Sequence, residues 1–241
     1  MRIVERFTMT VDAPPPGRDA WFLDYVLRSP QSAGRHLTAG WLALNRVQEL
    51  YPDVASAEEW FGGMGAQGLM VQDLFPIRPG AHYVGEFDRD AVRHLHRVMP
   101  DGVNVGFRDA YVPAPAPRVD LHVLDFGDLT AWKTREGERH HDLLDRVFAA
   151  HPRAVVLTDI ACRYLHLHRE RYETLLGPGT CGSYEDYLYA LADRIEGLWD
   201  YSLADGWMDR WSTVMVLVPK SENVLGIFQP TPDSPVGLEV F

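Results

Sequence analysis

From residue 54 onward, short apolar runs alternate with stretches in which apolar residues recur every three or four positions; the first pattern reads as strand and the second as helix. Strands are expected over residues 54–61, 82–87, 103–107, 119–126 and 154–160. The last begins Ala154-Val155-Val156-Leu157, an unbroken apolar run of the kind a parallel strand buried on both faces requires. Helices are expected from about Ala66, over 90–98, over 142–150 with Leu143, Leu144, Val147 and Phe148 on one face, and over 183–199. In the last helix Ser183 is a candidate N-cap with Asp186 three residues on, and Tyr187, Leu188, Leu191, Ile195 and Leu198 supply the apolar stripe. Residues 112–118, stiffened by Pro113, Pro115 and Pro117, read as a loop. Residues 211–218 and 224–228 read as strands of an antiparallel hairpin closed by 219–223. The alternation implies an α/β fold: a mostly parallel central sheet, helices on both faces and a terminal antiparallel hairpin.

The start of the chain breaks this rhythm at Pro14-Pro15-Pro16-Gly17. A candidate short strand, MRIVERFTMTV, precedes the break, and two helical patterns follow it, the second over residues 37–50 with Leu42, Leu44, Val47 and Leu50 at helical spacing. Pro52 then ends the helix, because proline disfavours helical geometry in the residue before it. Residues 1–50 are accordingly read as a strand and helical segment packing on the core, and 51–241 as the α/β domain.

Composition changes little in this picture. With 241 residues, 46% of them hydrophobic, the chain can bury one sizeable core. Lys plus Arg is 23 and Asp plus Glu is 34, a net charge of −11. That balance argues against non-specific attraction to a polyanion while leaving a local basic groove open. Cys162 and Cys181 are too few for a disulfide framework and wrongly spaced for structural zinc. No secretory signal and no run of about 20 apolar residues is found, so the expectation is a cytoplasmic protein without a membrane span. Oligomeric state is not readable.

The most informative segment is Glu59-Trp60-Phe61-Gly62-Gly63-Met64-Gly65-Ala66-Gln67-Gly68. Glycines after a buried strand let the backbone turn tightly and approach a ligand, and the following helix offers unpaired N–H groups. No basic residue sits in the loop, and Glu59 stands just before its glycines. An acid suits a ligand bearing an ammonium or hydroxyls better than a phosphate. About twenty residues on, Tyr83-Val84-Gly85-Glu86-Phe87-Asp88 puts Glu86 near the carboxyl end of the next strand, where a carboxylate can accept hydrogen bonds from ribose hydroxyls. Asp88 and Asp90 fit a helix-start role better.

This pattern resembles class I S-adenosylmethionine-dependent methyltransferases. EWFGGMG resembles their acid-x-[Phe/Gly]-x-Gly-x-Gly loop, YVGEFDRDAV their second-strand motif, VGFRDAY their third-strand motif and VDLHVLDFGD the place of their fourth. The resemblance spans about residues 40–230 and implies a Rossmann-like methyltransferase fold with S-adenosylmethionine as cofactor. It implies cofactor contacts from Glu59, Phe61, Gly63, Gly65, Glu86, Phe87, Asp109 and Ala110, with Asp109 beside the adenine, and catalytic roles for Asp125 and Asp128 at the fourth strand end. In outline the chain is similar to adenine- and cytosine-modifying DNA methyltransferases, but Leu124-Asp125-Phe126-Gly127-Asp128 stands where they carry Asn/Asp-Pro-Pro-Tyr/Phe, and no cysteine nucleophile follows the strand. The acceptor is left open between a nucleic-acid base, slightly favoured, and a small molecule. The alternative is a non-catalytic binding or assembly protein on the same fold. A nicotinamide oxidoreductase fits the loop spacing poorly.

Other chemistry is weaker. Asp125-Phe126-Gly127 spells a kinase signature without its companion motifs. His140 and His141 point apart on a helix, and His166 and His168 share a face only if extended, so no metal site is expected. The segment Thr158–Arg169 is expected to line an acceptor pocket or to pack under residues 177–182. Trp199, Tyr201, Trp207 and Trp211 are read as core and surface contacts in preference to a base-stacking platform.

Overall fold

A computed structural model describes residues 7–9, 37–63, 65–109, 115–125, 141–159, 161–208 and 212–220. In chain order the elements are β1 (Thr8–Met9), α1 (Leu37–Leu50), β2 (Ala57–Trp60), α2 (Ala66–Leu74), β3 (His82–Glu86), α3 (Arg89–Val98), β4 (Val103–Phe107), β5 (Leu121–Asp125), α4 (His141–Ala149), β6 (Ala154–Asp159), α5 (Ala161–Leu176), α6 (Tyr184–Leu198), β7 (Tyr201–Met208) and β8 (Thr213–Pro219). The strands form one sheet in the order β1-β7-β8-β6-β5-β2-β3-β4. Among the described strands only β8 runs against the others, pairing antiparallel with both β6 and β7. This is a Rossmann-like methyltransferase architecture.

Strand alternation divides the core between the two faces of the sheet. Ala57, Leu121, Val123, Ala154, Val156, Val214 and Val216 pack with Ala43, Leu44 and Val47 of α1 and Met70 and Val71 of α2. On the other face Trp60, Leu124, Val155, Leu157, Met215 and Leu217 pack with residues of α4, α5 and α6. The central strand β6, AVVLTD, is buried at every position, as its unbroken apolar run requires.

Two polar devices set the frame. The Asp120 carboxylate oxygen Oδ2 accepts from Ala55 N–H (2.9 Å), Ser56 N–H (3.1 Å) and the Ser56 hydroxyl (2.9 Å). This clamp fixes the amino ends of β2 and β5 against each other, and with them the register Trp60↔Leu124 at the far end. Ser183 caps α6: its hydroxyl oxygen accepts from Asp186 N–H (3.1 Å) and the hydroxyl donates to Asp186 Oδ2 (2.9 Å). Ser183→Ala is expected to cost about 1 kcal/mol, read as a lower urea midpoint at unchanged slope.

Three elements depart from the sequence expectation. The reversed strand β8 is present, but its hairpin partner is the preceding β7; residues 224–228 lie outside the described residues. β7 escaped notice because Ala204-Asp205-Gly206 interrupts its apolar pattern, and a register shift between Leu203 and Asp205 breaks the alternation. Tyr201 and Trp207 of this strand are buried, and Trp199 stacks on Phe148 at 4.6 Å, so three of the four clustered aromatics are packing groups; Trp211 lies outside the described residues. The segment after β6 is the helix α5, buried through Leu165 and Tyr172 at helical spacing, with His166 exposed. The other expected strands and helices that fall in the described residues form within a few residues of their expected bounds, and the first helical pattern after Gly17 lies outside them.

Candidate functional site

Chain order reverses in the middle of the sheet. From β2 the chain moves outward through β3 to β4, then crosses back to β5 and runs the other way through β6. The reversal falls between β2 and β5, and it is at the carboxyl ends of strands on either side of such a switch point that sheets of this kind open a crevice for ligands.

Register and alternation send three acids into this crevice on one face. Glu59 pairs with Val84 and with Val123, so Glu86, two residues past Val84, and Asp125, two past Val123, share its face of the sheet. This is the face covered by α1 and α2. Glu59 and Glu86 are buried, and Asp125 is partly covered at the strand end. Burial raises the pKa of Glu59 well above the ordinary carboxylate value, with Asp125 and Glu86 adding repulsion and the Gly68 N–H opposing. Burial also pushes Asp125 up to about 7; the Gln67 side chain pulls it down, Glu86 raises it, and Thr158 lowers it.

The loop between β2 and α2 holds its shape through unusual backbone conformations. Phe61 (φ 62°), Gly63 (φ 51°) and Gly65 (φ 90°) all occupy the left-handed region. For Phe61 that conformation is strained, and such strain concentrates at ligand sites. Gly62 N–H donates to Gly85 O (3.0 Å), tying the loop to β3. The Glu86 carboxylate completes the tie: Oε2 accepts from Gly63 N–H (2.9 Å), and Oε1 from Phe87 N–H (2.6 Å) and Asp88 N–H (3.0 Å). Gly68, in the first turns of α2, makes room for Glu59: a Cβ there would stand 2.5 Å from Glu59 Oε2. Among the buried polar atoms without a hydrogen-bond partner are Glu59 Oε2 and Gln67 Oε1.

The other face of the same strands carries a buried polar cluster that the sequence reading passed over. Glu58, fully buried, pairs through Oε1 with the Arg108 guanidinium. Arg108 follows β4 and reaches back across β3 where Gly85 leaves space; a Cβ at Gly85 would stand 3.0 Å from the arginine chain. Its guanidinium lies 4.0 Å from the Trp60 ring centroid. Trp60 Nε1–H donates to His122 Nδ1 (3.3 Å), and His122 Nε2 lies 3.2 Å from Pro117 O. Nδ1 is thus an acceptor and Nε2–H the donor, the neutral tautomer, in keeping with burial lowering the His122 pKa to about 4. The Glu58 Oε2–His122 Nδ1 approach of 3.4 Å is then between two acceptors, and Oε2 has no hydrogen-bond partner. Only alternation along β2 combined with the β4–β5 crossing could have paired Glu58 with Arg108, a partner 50 residues away.

The structure therefore brings Glu59, Phe61, Gly63, Gly65, Glu86 and Asp125 together at one end of the sheet. Phe61 is buried there, while Phe87 is 41% exposed beside Glu86. Asp88, as expected of a helix-start acid, caps α3: its Oδ1 accepts from Asp90 N–H (2.7 Å) and Ala91 N–H (2.9 Å). Asp109 follows Arg108 at the end of β4; Ala110 and Asp128 lie outside the described residues. Among the described residues no group of three His, Cys, Asp or Glu side chains is arranged to hold a metal ion. No described helix is long and apolar enough to cross a membrane.

No family model matches the chain, and no curated protein is significantly similar to it in sequence. Solved structures do share its fold. The plantazolicin methyltransferase BpumL, solved in complex with SAH, superposes with a TM-score of 0.54 at 11% identity, over 85% of this chain and 90% of that one. A putative S-adenosyl-L-methionine-dependent methyltransferase from Methanococcus maripaludis gives 0.51 at 9% identity, over 87% and 97%. The mitomycin 7-O-methyltransferase MmcR gives 0.50 at 14% identity, over 82% of this chain; the match spans 60% of the length of MmcR. At these identities the likeness shows the fold, that of class I S-adenosylmethionine-dependent methyltransferases.

Proposed function

We propose that this chain binds S-adenosylmethionine at the β2–β3–β5 crevice and transfers its methyl group to a small-molecule acceptor. The observation that carries the reading is the acid face: Glu59, Glu86 and Asp125 converge beside a glycine loop, and buried Glu59 Oε2 and Gln67 Oε1 have no protein partner. Such atoms are costly unless a ligand satisfies them, and this ligand has the cationic and hydroxyl groups to do so. When bound, it supplies an electrophilic methyl group on a sulfonium.

In this reading the loop glycines Gly63 and Gly65 pass close along the ligand, Glu86 accepts from the ribose, and Phe61, Phe87, Asp109 and Ala110 surround the adenine end. Glu59 and Gln67 face the amino-acid end. A carboxylate offers about four lone-pair directions. Three on Glu86 are taken by Gly63, Phe87 and Asp88 N–H, so one acceptor site on Oε2 is left for a ribose hydroxyl. Asp125, at the strand end and titrating near neutrality, takes the proton of the acceptor's nucleophile. A net charge of −11 and an acid-lined crevice favour a neutral or cationic small molecule over a nucleic acid. The plantazolicin methyltransferase and the mitomycin 7-O-methyltransferase are named for acceptors other than a nucleic acid, which supports the same choice.

Calorimetry of the intact chain tests the donor assignment directly. Micromolar binding of S-adenosylmethionine is expected, with Glu86→Ala weakening it by about 1–3 kcal/mol through the lost ribose contact and the freed Gly63 N–H. No binding at high micromolar ligand would sink the assignment, and unchanged affinity in the variant would show that Glu86 does not hold the ribose. Following labelled methyl groups into pools of small metabolites, protein and nucleic acid identifies the acceptor. Label confined to nucleic acid refutes the small-molecule choice.

A further inference from the structure

We propose that this protein associates with a second copy of itself, head to tail, through the basic face of α3 in one protomer and the acidic face of α6 in the next. At 3.6 residues per turn, Arg89, Arg93, His96 and Arg97 fall within about 100° of the circumference of α3, and all four are exposed. Protein surfaces ordinarily intersperse the two signs of charge. Here three arginines share one helix face in a chain with 34 Asp and Glu against 23 Lys and Arg. Among the described residues neither Arg89 nor Arg97 forms an ion pair. Arg89 lies over the Phe107 ring, 5.9 Å from its centroid, and Arg93 pairs with Asp90 at the solvent surface, where such a bond is readily exchanged.

α6 offers the complement. Asp186, Asp193 and Glu196 lie within about 80° of one another on that helix; the first two are exposed and Glu196 is half-buried. Among the described residues Asp193 and Glu196 form no ion pair, while Asp186 accepts from the Ser183 hydroxyl and lies near Arg169. The stripes match in length, about 12 Å from Arg89 to Arg97 and about 15 Å from Asp186 to Glu196 at 1.5 Å per residue. Apolar surface marks the same two faces. Of the six large apolar side chains exposed among the described residues, Phe87 and Phe107 flank the start of α3 and Tyr189 stands inside the acidic stripe. α3 packs on β3 and β4 and α6 on β7, strands toward opposite ends of the sheet. The contact is therefore heterologous, and a pair keeps one free basic face and one free acidic face. A net charge of −11 sets the two bodies against each other, but screening within about 8 Å at physiological salt confines that repulsion and spares the close contacts. A long polyanion would run past the basic stripe into acidic surface, so an acidic helix of matching length is the better occupant.

Sedimentation velocity of the full chain, over a concentration series into the high micromolar range, tests this. The average mass should climb with concentration at about 0.15 M salt and fall back toward the monomer at about 1 M, where screening reaches into the contacts themselves. Two sets of substitutions separate the faces: Arg89→Gln/Arg93→Gln/Arg97→Gln on α3 and Asp193→Asn/Glu196→Gln on α6. Each should weaken self-association by at least about tenfold, the sum of several surface pairs. Mixed together, the two variants retain one intact joint, so they should form a one-to-one pair and grow no further. A wild-type chain that stays monomeric throughout overturns the proposal, as does association that neither set weakens. A single-stranded oligonucleotide that binds the monomer and is lost with the arginines would give the α3 face to a nucleic acid instead, and overturns it too. All five positions lie on helix surfaces; should one set still disturb the fold, the other set and the salt series on the wild-type chain decide.

Discussion

Asp125→Asn should abolish most methyl transfer and, above pH 7, make the protein more stable. Both effects follow from one carboxyl. As the proton acceptor proposed for the transfer step, Asp125 must be ionised, so its loss is expected to lower kcat by about 10²–10⁴-fold, the usual range for removing a positioned base. Its pKa near 7 makes wild-type turnover climb with pH through neutrality and level off above, whereas the residual rate of the variant should lack that limb. Stability moves the other way. In the unfolded chain this carboxyl ionises near its ordinary value of 3.8, and in the folded protein near 7. Between those values the native state holds the extra proton, so stability contributed by this group falls as pH rises from about 4 to 7 and is fully lost above. The asparagine carries no such cost, which gives the variant an advantage on the order of 2–4 kcal/mol at pH 8 that vanishes near pH 4. Rate and urea-denaturation profiles against pH check both halves. A variant with wild-type turnover would remove Asp125 from the chemistry, and one no more stable at pH 8 would show that its carboxyl is not under strain.

Much of the frame that positions Asp125 was legible in the sequence because its signals are local. β6 announces itself as an apolar run, α6 by a serine cap and a stripe, and β4 at residues 103–107 was read to the residue. Glu59, Glu86 and Asp125 could be picked out because each ends or nearly ends an apolar strand, and parallel strands bring their carboxyl ends together. What stayed hidden is relational. β7 was lost because a bulge shifts its alternation, and a pattern with period two does not survive a one-residue slip. α5 gives no clear local signal because polar and charged residues, His166 and His168 among them, dominate its sequence, while Leu165 and Tyr172, seven residues apart, are turned inward. Gln67 looked like an ordinary helix residue; only the approach of α2 to the end of β5 puts its amide against Asp125. The Glu58–Arg108 pair depends on Gly85 leaving space for an arginine from the next strand, which no local pattern encodes.

That pair predicts the largest stability loss in the molecule. Removing Arg108, for instance as Arg108→Met, leaves Glu58 fully buried with Oε1 and Oε2 both unsatisfied. His122 cannot compensate, since its Nδ1 already accepts from Trp60 and its pKa of about 4 keeps the ring neutral. Breaking a buried ion pair from one side typically costs about 3–5 kcal/mol, which in a protein of this size lowers Tm by roughly 6–20 °C. The Arg108 side chain, 29% accessible, puts this case toward the lower end. The loss should be smaller at pH 5 than at pH 8, because the stranded carboxyl can then take up a proton. The double variant Glu58→Leu/Arg108→Met distinguishes the charge from the packing. With both charges gone the strands keep their apolar neighbours, and stability should return to within about 1–2 kcal/mol of the parent, giving a large coupling energy in the double-mutant cycle. Additive losses would instead mean that Arg108 acts chiefly by its stacking on Trp60, at 4.0 Å, and that the ion pair is incidental. Because Arg108 adjoins Asp109, the same cycle run on donor affinity tells whether this buried anchor holds the proposed adenine end of the crevice in place. Rescue of stability without rescue of affinity would show that it does.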